Sequence, residues 1–586
     1  MIADELAGTR IAVTGATGFL GTAVVERLLR TVPGCEVVAV VRPGRRSDAA
    51  RRVRREVVRN DCFDRLRSEW GDRFEGEVER RLTAVAGDVS VDGMALDEEG
   101  RAVLAGCDTV VHAAASVSFD APLDGAVEVN LLGPARLASV LSEGGSPAHL
   151  ISVSTAYVAG ARRGDAPEAL LADTPFATDV SWHAEVEASR RARADADAES
   201  RRPERLKRFH KRARAELGAA GSPLLSEKLE RLRLDWVADR MVEAGRARAQ
   251  GLGWPDAYAY TKALGERALL ESRGDVPVTI VRPSIIESAL EEPRPGWIRG
   301  FRMAEPVIIS YGRGLLKEFP GIPEGVVDVI PVDLVVAAIL AVAARGPHPD
   351  GPDVFHVASG ERNPLRYRRV VDLVRDWFLE NPLYDSERGQ PIVVPEWSFP
   401  GRGRVQRQLH RATRALSTAE RVVTALPIRG RQAELSSRLE ERRSQAERAL
   451  GYVQLYGAYV ETEAVFRVDR LLSLWETVDE ADREAFCFDP AVIDWRRFVH
   501  DIHLPAIVAQ ARVRTAPGRK GAASREERGR RAVLSRDRHF AAFDLENTLI
   551  ASNVVESYAW LATRRLPAGE RARFTLRTLR EAPSLL

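Results

Sequence analysis

Short runs of consecutive apolar residues recur along the first 160 residues, and stretches with helical apolar spacing separate them. A brief apolar run between turn residues is typical of a strand that is buried on both faces of a sheet. Because strands and helices alternate, we predict an α/β fold with a doubly wound parallel sheet and a ligand at the carboxyl ends of its strands. The predicted strands lie at residues 10–14, 36–41, 82–90, 108–117 and 149–158.

The pattern changes after residue 160. Residues 183–250 carry many charges at helical spacing, so we predict a helical insert within the first domain. Residues 325–340 combine a strand with an apolar helix, which we interpret as packing rather than catalysis. The chain then continues as a mainly helical second domain, a basic linker without apolar periodicity, which is typical of disorder, and a terminal fragment. The predicted ranges are 1–350 (insert about 162–252), 351–510, 511–538 and 539–586.

Composition places the chain among globular proteins, since 45% of its residues are apolar and 29% are charged. Lys and Arg number 86 and Asp and Glu 84, which gives a net charge of +2. This balance argues against a polyelectrolyte that binds nucleic acid over its whole surface. Lysine is rare against arginine, so a lysine within a motif is informative.

The four cysteines, Cys35, Cys62, Cys107 and Cys487, are scattered and include no Cys-x-x-Cys pair. This spacing fits a reducing cytosol and argues against a zinc site or a disulfide framework, so we expect no bound metal. The best apolar run, near residues 334–344, is shorter than the ~18–20 residues that a transmembrane helix needs. We therefore predict a cytoplasmic protein without a signal peptide.

Three glycines follow the first predicted strand, in the string GATGFLG at residues 15–21. A glycine-rich turn between a strand and a helix lets the backbone approach a pyrophosphate, and the helix N-terminus supplies free N–H groups. The strand–turn–helix context therefore predicts a Rossmann-type dinucleotide site. Its predicted contacts are Thr14, Gly15, Thr17, Gly18, Phe19, Leu20 and Gly21.

The end of the second predicted strand indicates which dinucleotide binds. NAD enzymes usually carry an acidic residue there for the ribose hydroxyls, but this chain has Arg42. A guanidinium suits the extra 2′-phosphate of NADP, so we predict NADPH as the cofactor. The ends of the next two strands supply further predicted cofactor contacts, which are Asp88, Val89, Ala113, Ala114 and Ala115.

Tyr258 and Lys262 lie about one helical turn apart in the segment YAYTK, so their side chains share one helix face. A nearby ammonium stabilises a phenolate. We therefore expect Lys262 to lower the pKa of Tyr258 and to tune it as a general acid toward a carbonyl oxygen. Tyr260 lies only two residues before the lysine and is expected to point elsewhere.

The glycine turn and the Tyr258–Lys262 pair together resemble the extended short-chain dehydrogenase/reductase superfamily. The resemblance implies that a hydroxyl after the fifth strand hydrogen-bonds the substrate carbonyl. We assign this role to Thr155, with Ser154 as the alternative. The resemblance also implies that Asn130 supports the active site from a helix, although Asn130 fits a helix N-cap equally well.

Three further segments narrow the resemblance from the superfamily to one family within it. These segments are GWPDAYAYTKALGE at 253–266, VRPSIIESALEEPRPGWIRG at 281–300 and GVVDVIPVDLVVAAIL at 325–340. Their order resembles that of the fatty acyl-CoA reductases, also called male-sterility-type reductases, over about residues 8–510. We expect Pro283 and Ser284 to line the nicotinamide end of the cleft; the alternative is a rigid strand–loop junction.

This resemblance implies an activity. NADPH would reduce the thioester carbonyl of a long-chain fatty acyl-CoA or acyl carrier protein, first to an aldehyde and then to a fatty alcohol. Thr155 and Tyr258 would stabilise the oxyanion, and Lys262 would also bind the nicotinamide ribose. No cysteine stands in a motif, which disfavours a covalent thioester route.

Two alternatives remain open at this point. An extended short-chain dehydrogenase that acts on a nucleotide sugar or another small carbonyl would share the glycine turn and the Tyr258–Lys262 pair, but it would not explain the Pro-Gly-Trp segment or the second domain. A fusion protein whose reductase part only binds ligands would not need Thr155, Tyr258 and Lys262 together.

Two basic segments indicate further contacts. Residues 181–250 carry 17 basic and 12 acidic side chains, which we interpret as solvated helix faces or, alternatively, as a lid over the substrate site. Residues 401–450 carry 12 arginines against 5 acidic side chains, with Leu409, Leu416 and Val423 at helical spacing. Such a helix favours peripheral contact with the inner membrane surface or with CoA phosphates. Without a nucleic-acid-binding fold, we expect no nucleic-acid partner.

The segment HFAAFDLENTLIASNVVESY at 539–558 resembles the first motif of haloacid-dehalogenase-like phosphatases, with Asp544 in the nucleophile position. The resemblance implies an aspartate two residues later as the general acid, where this chain has Glu546. Only 38 residues follow Thr548, which is too few for the later lysine and metal-binding aspartates. We therefore expect an incomplete and inactive fragment.

Overall fold

The computed structural model describes residues 2–44, 47–160, 163–174, 179–217, 224–301, 304–385, 389–425, 432–457, 459–513 and 515–516. The predicted phosphatase-like fragment and nearly all of the predicted linker lie outside these ranges.

The strands of the described residues are β1 Arg10–Thr14, β2 Glu36–Val41, β3 Leu82–Ala86, β4 Thr109–His112, β5 His149–Val153, β6 Arg163–Ala166, β7 Val278–Pro283, β8 Ile285–Glu287, β9 Val329–Pro331, β10 Asp353–Val357 and β11 Glu463–Phe466. Seven of them form one parallel sheet in the order β3-β2-β1-β4-β5-β7-β10. The predicted doubly wound parallel sheet is confirmed. Because the strand order reverses between β1 and β4, the ligand crevice is expected at the carboxyl ends of these strands.

The α-helices of the described residues are α1 Ile2–Glu5, α2 Phe19–Thr31, α3 Ala49–Val53, α4 Asp64–Trp70, α5 Phe74–Arg81, α6 Glu98–Ala105, α7 Leu123–Ala126, α8 Leu132–Glu143, α9 Trp182–Ser200, α10 Pro203–Leu217, α11 Leu225–Leu252, α12 Ala257–Ser272, α13 Glu305–Gly312, α14 Val332–Arg345, α15 Tyr367–Glu380, α16 Arg402–Ala425, α17 Gln432–Tyr456, α18 Asp469–Glu476, α19 Glu480–Arg483, α20 Trp495–Arg497 and α21 Leu504–Gln510. α8 packs against α12, and α2 packs against α14. The buried strand and helix faces between them form the apolar core.

The sheet does not end at the predicted domain boundary near residue 350. β10 lies beyond that boundary and pairs with β7, and β11 pairs with β6. The buried Glu168 carboxylate joins the same regions, since it accepts hydrogen bonds from the His356 amide at 2.9 Å and the Leu471 amide at 3.2 Å. The described residues within 2–190 and 242–516 form one compact unit.

Residues 191–241 belong to a second compact unit, which is narrower than the predicted insert. Its small core contains Phe209, Ala213 and Leu232. Arg233 is buried and forms ion pairs with Asp197 at 2.5 Å and Glu230 at 2.6 Å. The many charges of this segment are thus partly used in ion pairs within the unit.

Candidate active site

Close backbone approach shapes the glycine-rich turn after β1. Gly15 has a φ of +73°, and a Cβ there would lie 2.6 Å from the Ala114 nitrogen. A Cβ on Gly21 would lie 2.2 Å from the Gly15 carbonyl oxygen. α2 begins at Phe19 after Gly18, and no side chain caps it. The amides of its first turn can therefore receive a phosphate, and the turn fits a dinucleotide diphosphate.

A cleft of about 730 Å³ joins this turn to the N-terminal part of α12. Every predicted site residue except Asn130 lines it. These residues are Thr14, Gly15, Thr17, Gly18, Phe19, Leu20, Gly21, Arg42, Asp88, Val89, Ala113, Ala114, Ala115, Ser154, Thr155, Tyr258, Lys262, Pro283 and Ser284. The structure thus brings the predicted dinucleotide site and the predicted reducing residues into one cleft.

Two arginines line the cleft beside the end of β2. Arg42 was predicted, and its guanidinium lies 3.9 Å from the Asp88 carboxylate. Arg52 of α3 was not predicted; its guanidinium donates to the Arg42 carbonyl oxygen at 2.5 Å and to Glu56 at 3.1 Å. The pair presents two guanidinium groups, which suits a phosphate ester. Sequence spacing gave no signal for Arg52 because it is one of many arginines in the chain.

The long segment between Thr155 and Tyr258 leaves and re-enters the fold at one place. Gly160 and Gly253 both have positive φ, +75° and +94°, and a Cβ on Gly160 would lie 2.6 Å from the Gly253 carbonyl oxygen. Next to them, the Trp254 indole donates to a main-chain carbonyl at 2.9 Å. The segment can therefore be long without separating Thr155 from Tyr258.

Lys262 is buried at the cleft, and its ammonium donates to the Val153 carbonyl oxygen at 2.8 Å. Burial lowers the pKa of Lys262 to about 8, against the opposing effect of Glu266. An ammonium has three donors. One holds the end of β5, so the others fit the hydroxyls of a nicotinamide ribose.

The predicted effect on Tyr258 is wrong in sign. Burial, with a smaller contribution from the negative charge of Asp256, raises the pKa of the Tyr258 phenol. The ring lies against Phe119, with the ring centroids 6.0 Å apart, and such an enclosed site solvates a phenolate poorly. Tyr258 therefore keeps its proton, which is the form that a general acid needs.

Two hydroxyls at the end of β5 face the cleft. The Ser154 hydroxyl is buried and has no hydrogen-bond partner among the described residues. The Thr155 hydroxyl donates to the Pro283 carbonyl oxygen at 3.4 Å and accepts from the Tyr157 amide at 3.3 Å. Both bonds of Thr155 are long, so either hydroxyl can turn toward a substrate oxygen.

Two side chains that the sequence associated with the site point elsewhere. The Asn130 amide is buried and holds the loop after β4, because it accepts from the Ser116 amide at 2.8 Å and donates to the Ser116 carbonyl at 2.9 Å. Asn130 thus positions the cleft wall and does not line the cleft. The Tyr260 hydroxyl bonds to Glu185, as expected for the tyrosine that shares a helix turn with Tyr258.

Tyr459 is a cleft residue that sequence reasoning missed. Its hydroxyl donates to Asp256 at 2.7 Å, and the other oxygen of Asp256 accepts from the Ala259 amide at 2.9 Å, which caps α12. The Tyr459 ring packs against Tyr157 and Phe119, with centroids 4.6 and 5.1 Å away. A residue far along the chain therefore fixes the start of the helix that carries Tyr258.

An apolar cavity of about 110 Å³ adjoins the cleft. Ile285 and Tyr459 line both spaces. Aliphatic and aromatic side chains line most of the cavity, and its one lining carboxylate among the described residues is Glu287. The site therefore combines a polar cofactor cleft with an adjacent apolar space.

A parallel sheet with this strand order, a glycine turn at its switch point and a Tyr-x-x-x-Lys pair across the cleft define a nicotinamide-dependent reductase of the short-chain dehydrogenase/reductase type. Residues 13–339 match the male sterility protein family. A probable fatty acyl-CoA reductase 5 of Arabidopsis thaliana is 30% identical over 513 residues, which cover 85% of this chain and 96% of that protein. The chain belongs to the fatty acyl-CoA reductase family and is an oxidoreductase.

Another relative is the alcohol-forming fatty acyl-CoA reductase of Simmondsia chinensis, which is 28% identical over 86% of this chain and 98% of that protein. Among solved structures, the terminal R domain of the myxalamid PKS-NRPS pathway is similar, with a TM-score of 0.52, 15% identity and coverage of 87% of this chain and 93% of that one. This likeness concerns the fold alone. None of the described helices is both long and apolar enough to cross a membrane.

Proposed function

We propose that this protein uses NADPH to reduce long-chain fatty acyl thioesters to aldehydes and then to primary alcohols. The observation that carries the proposal is the junction between the cofactor cleft and the apolar cavity, at Ile285 and Tyr459. A thioester with its carbonyl beside Tyr258 would have an apolar space for its chain next to it. The alcohol-forming relative supports the second reduction, whereas a nucleotide sugar would have no use for an apolar cavity.

Bound NADPH supplies hydride to the carbonyl carbon. The residues of the chain act on the carbonyl oxygen. Tyr258 and Thr155, or Ser154 in its place, hydrogen-bond this oxygen and stabilise its developing negative charge. Tyr258 gives the oxygen a proton, and we expect the ammonium of Lys262, which lines the same cleft one helical turn later, to stabilise the tyrosinate that remains.

The product of this first step is a hemithioacetal. Its collapse breaks the C–S bond and releases the carrier thiol and an aldehyde. The same residues then protonate the aldehyde oxygen in a second reduction. No cysteine is among the described residues that line the cleft, and burial raises the pKa of Cys35 and Cys107 to about 11. These facts support direct reduction without a covalent acyl-enzyme.

Incubation of the purified protein with palmitoyl-CoA and NADPH tests the proposal. We expect free CoA thiol, hexadecanol in gas chromatography and oxidation of two NADPH for each alcohol. One NADPH for each product, with the aldehyde as the end product, would restrict the activity to the first step. Absence of thiol release with both CoA and carrier-protein thioesters would overturn the proposal.

The pKa of Lys262 predicts a pH limit. Lys262 holds its proton below about pH 8 and loses it above. We therefore expect kcat/KM to be nearly constant below pH 8 and to fall by about tenfold for each pH unit above it, because the neutral amine no longer stabilises the tyrosinate. Initial rates between pH 6 and about 10 measure this, with circular dichroism as the control for folding. A profile that stays flat to pH 10 would contradict it.

The two hydroxyls after β5 can be separated by variants. We expect Thr155→Val to lower kcat by about 10²-fold, since one oxyanion donor is lost while the volume is kept. Ser154→Ala is expected to lower kcat by less than about fivefold and serves as the matched control. The opposite order of effects would transfer the oxyanion role to Ser154, whose hydroxyl lacks a partner among the described residues. Single-turnover rates give the comparison.

The proposal also covers the carrier of the acyl substrate and the location of the protein in the cell. We propose fatty acyl-CoA or acyl carrier protein as the substrate, and a cytoplasmic protein with peripheral contact at the inner membrane surface. The first half of α16 supports this contact, because its arginines are exposed or half-buried. They are Arg402, Arg404, Arg407, Arg411 and Arg414. Basic side chains on one helix are attracted to anionic lipid headgroups.

A further inference from the structure

Glu287 is an unusual residue for the wall of an apolar cavity. It ends β8, two residues after Ile285, and so it lies on the same face of the strand, about 7 Å farther along. Its side chain lines the cavity and is 4% exposed. Its Oε2 atom is enclosed and has no hydrogen-bond partner among the described residues.

The polar neighbours of Glu287 do not supply its Oε2 atom with a hydrogen bond. The His503 ring, from the π-helix Phe498–His503, has its Nε2 atom 3.9 Å from Oε2, which is beyond hydrogen-bond distance. The other ring nitrogen of His503 bonds to the Ser288 hydroxyl at 2.9 Å. Glu305 of α13 contributes a second negative charge close by. None of these neighbours is therefore a cation that would balance the charge of an ionised Glu287 carboxylate.

The protonation state follows from this environment. Burial raises the pKa of Glu287 well above its usual range, and the Glu305 carboxylate acts in the same direction. Burial also lowers the pKa of His503 to about 4, so the ring is neutral. Glu287 therefore presents a neutral carboxyl group, with one O–H donor and a carbonyl acceptor, to an otherwise apolar space.

A buried neutral carboxyl without a partner destabilises a fold, unless a ligand supplies the missing hydrogen bonds. Two of the four tyrosines that line the cavity use their hydroxyls elsewhere, as Tyr311 donates to the Pro395 carbonyl at 2.7 Å and Tyr459 donates to Asp256. Glu287 is the one carboxyl group among the described residues that a bound chain meets in this cavity. A hydroxyl can bond to the carboxyl group either as a donor or as an acceptor, whereas a keto group can only accept from its O–H.

We infer that the cavity accepts fatty acyl chains that carry a hydroxyl group, and that Glu287 recognises this hydroxyl by hydrogen bonds. This inference rests on the proposed function and specifies its substrate class. Glu287 acts on specificity and takes no part in the reduction. Ser288 and His503 do not line the cavity among the described residues, so they fix the surroundings of Glu287 and do not contact the chain.

The test compares hexadecanoyl-CoA with a series of hydroxyhexadecanoyl-CoA substrates in which the hydroxyl moves along the chain. At the position that reaches Glu287, we expect kcat/KM to be about three- to tenfold higher than for the unsubstituted chain. Equal or lower values at every position would overturn the inference, and would indicate that water satisfies Glu287.

Two variants test whether Glu287 causes the preference for the hydroxy substrate. In Glu287→Leu, the favoured hydroxy substrate should become worse than hexadecanoyl-CoA by about tenfold, because its hydroxyl would be buried without a partner. Glu287→Gln should keep the preference, since an amide also donates and accepts. Circular dichroism spectra and melting temperatures that match those of the wild type show that both variants are folded. An unchanged preference in Glu287→Leu would overturn the inference.

A binding measurement separates this inference from the proposed function. Trp397 lines the same cavity, so its fluorescence should report binding of hexadecanol and of hexadecanediols without turnover. We expect one hexadecanediol to bind about three- to tenfold more tightly than hexadecanol, and Glu287→Leu to abolish the difference. If no thioester is reduced but this difference persists, the proposed function fails while the recognition by Glu287 stands. If thioesters are reduced and the difference is absent, only the inference fails.

Discussion

Replacement of Tyr258 by phenylalanine is expected to lower kcat for acyl-thioester reduction by about 10²- to 10⁴-fold, because the variant keeps the ring and loses the proton donor. Burial raises the pKa of Tyr258, so the wild-type phenol is protonated over the working pH range and the loss should not depend on pH below about 8. The dissociation constant of NADPH, measured by fluorescence, should change by less than about threefold.

Tyr260→Phe is the matched control. Tyr260 lies in the same helix turn, but its hydroxyl bonds to Glu185 and does not line the cleft. We expect this variant to lose some thermal stability, about 1 kcal/mol for one hydrogen bond, and to keep kcat within about threefold. Equal losses of kcat in the two variants, or a Tyr258→Phe enzyme with more than a tenth of wild-type kcat, would refute the assignment of Tyr258 as the general acid.

The double variant Arg42→Ala/Arg52→Ala is expected to remove the proposed preference for NADPH. Each guanidinium that pairs with a phosphate contributes about 1.5–3 kcal/mol, so kcat/KM for NADPH should fall by about 10²-fold or more. The value for NADH should change by less than about fivefold, because NADH carries no 2′-phosphate. Both residues line the cleft beside β2, where Arg52 donates to the Arg42 main-chain carbonyl oxygen at 2.5 Å.

Arg51→Ala provides the control for removal of a positive charge. Arg51 is the neighbour of Arg52, is highly exposed and pairs with Asp48 at 3.5 Å, but it does not line the cleft. We expect its NADPH and NADH kinetics to match those of the wild type. A double variant that loses NADPH and NADH activity equally would show that the two arginines support the fold of this wall, and it would leave the cofactor preference to other residues.

The sequence by itself determined the features that depend on local chemistry. Gly15, Gly18 and Gly21 mark a turn that only small residues can form, and the spacing of Tyr258 and Lys262 places both on one helix face. Apolar runs in the sequence predicted the buried strands. β3, β4 and β5 end earlier than predicted, because the residues that follow each strand line the cleft. Such signals are readable because backbone conformation and helix periodicity act over a few residues.

Only the tertiary structure decided the features that depend on distant contacts. Tyr459 reaches the cleft through β11 and its neighbours, and β10 joins the sheet beyond the predicted domain boundary, because packing and strand pairing link segments without regard to their separation along the chain. For the same reason, the pKa of Tyr258 is raised and not lowered as the sequence predicted. The spacing to Lys262 predicted stabilisation of a phenolate, but burial, with a smaller contribution from Asp256, raises the pKa of Tyr258, and desolvation is a property of the whole packed site.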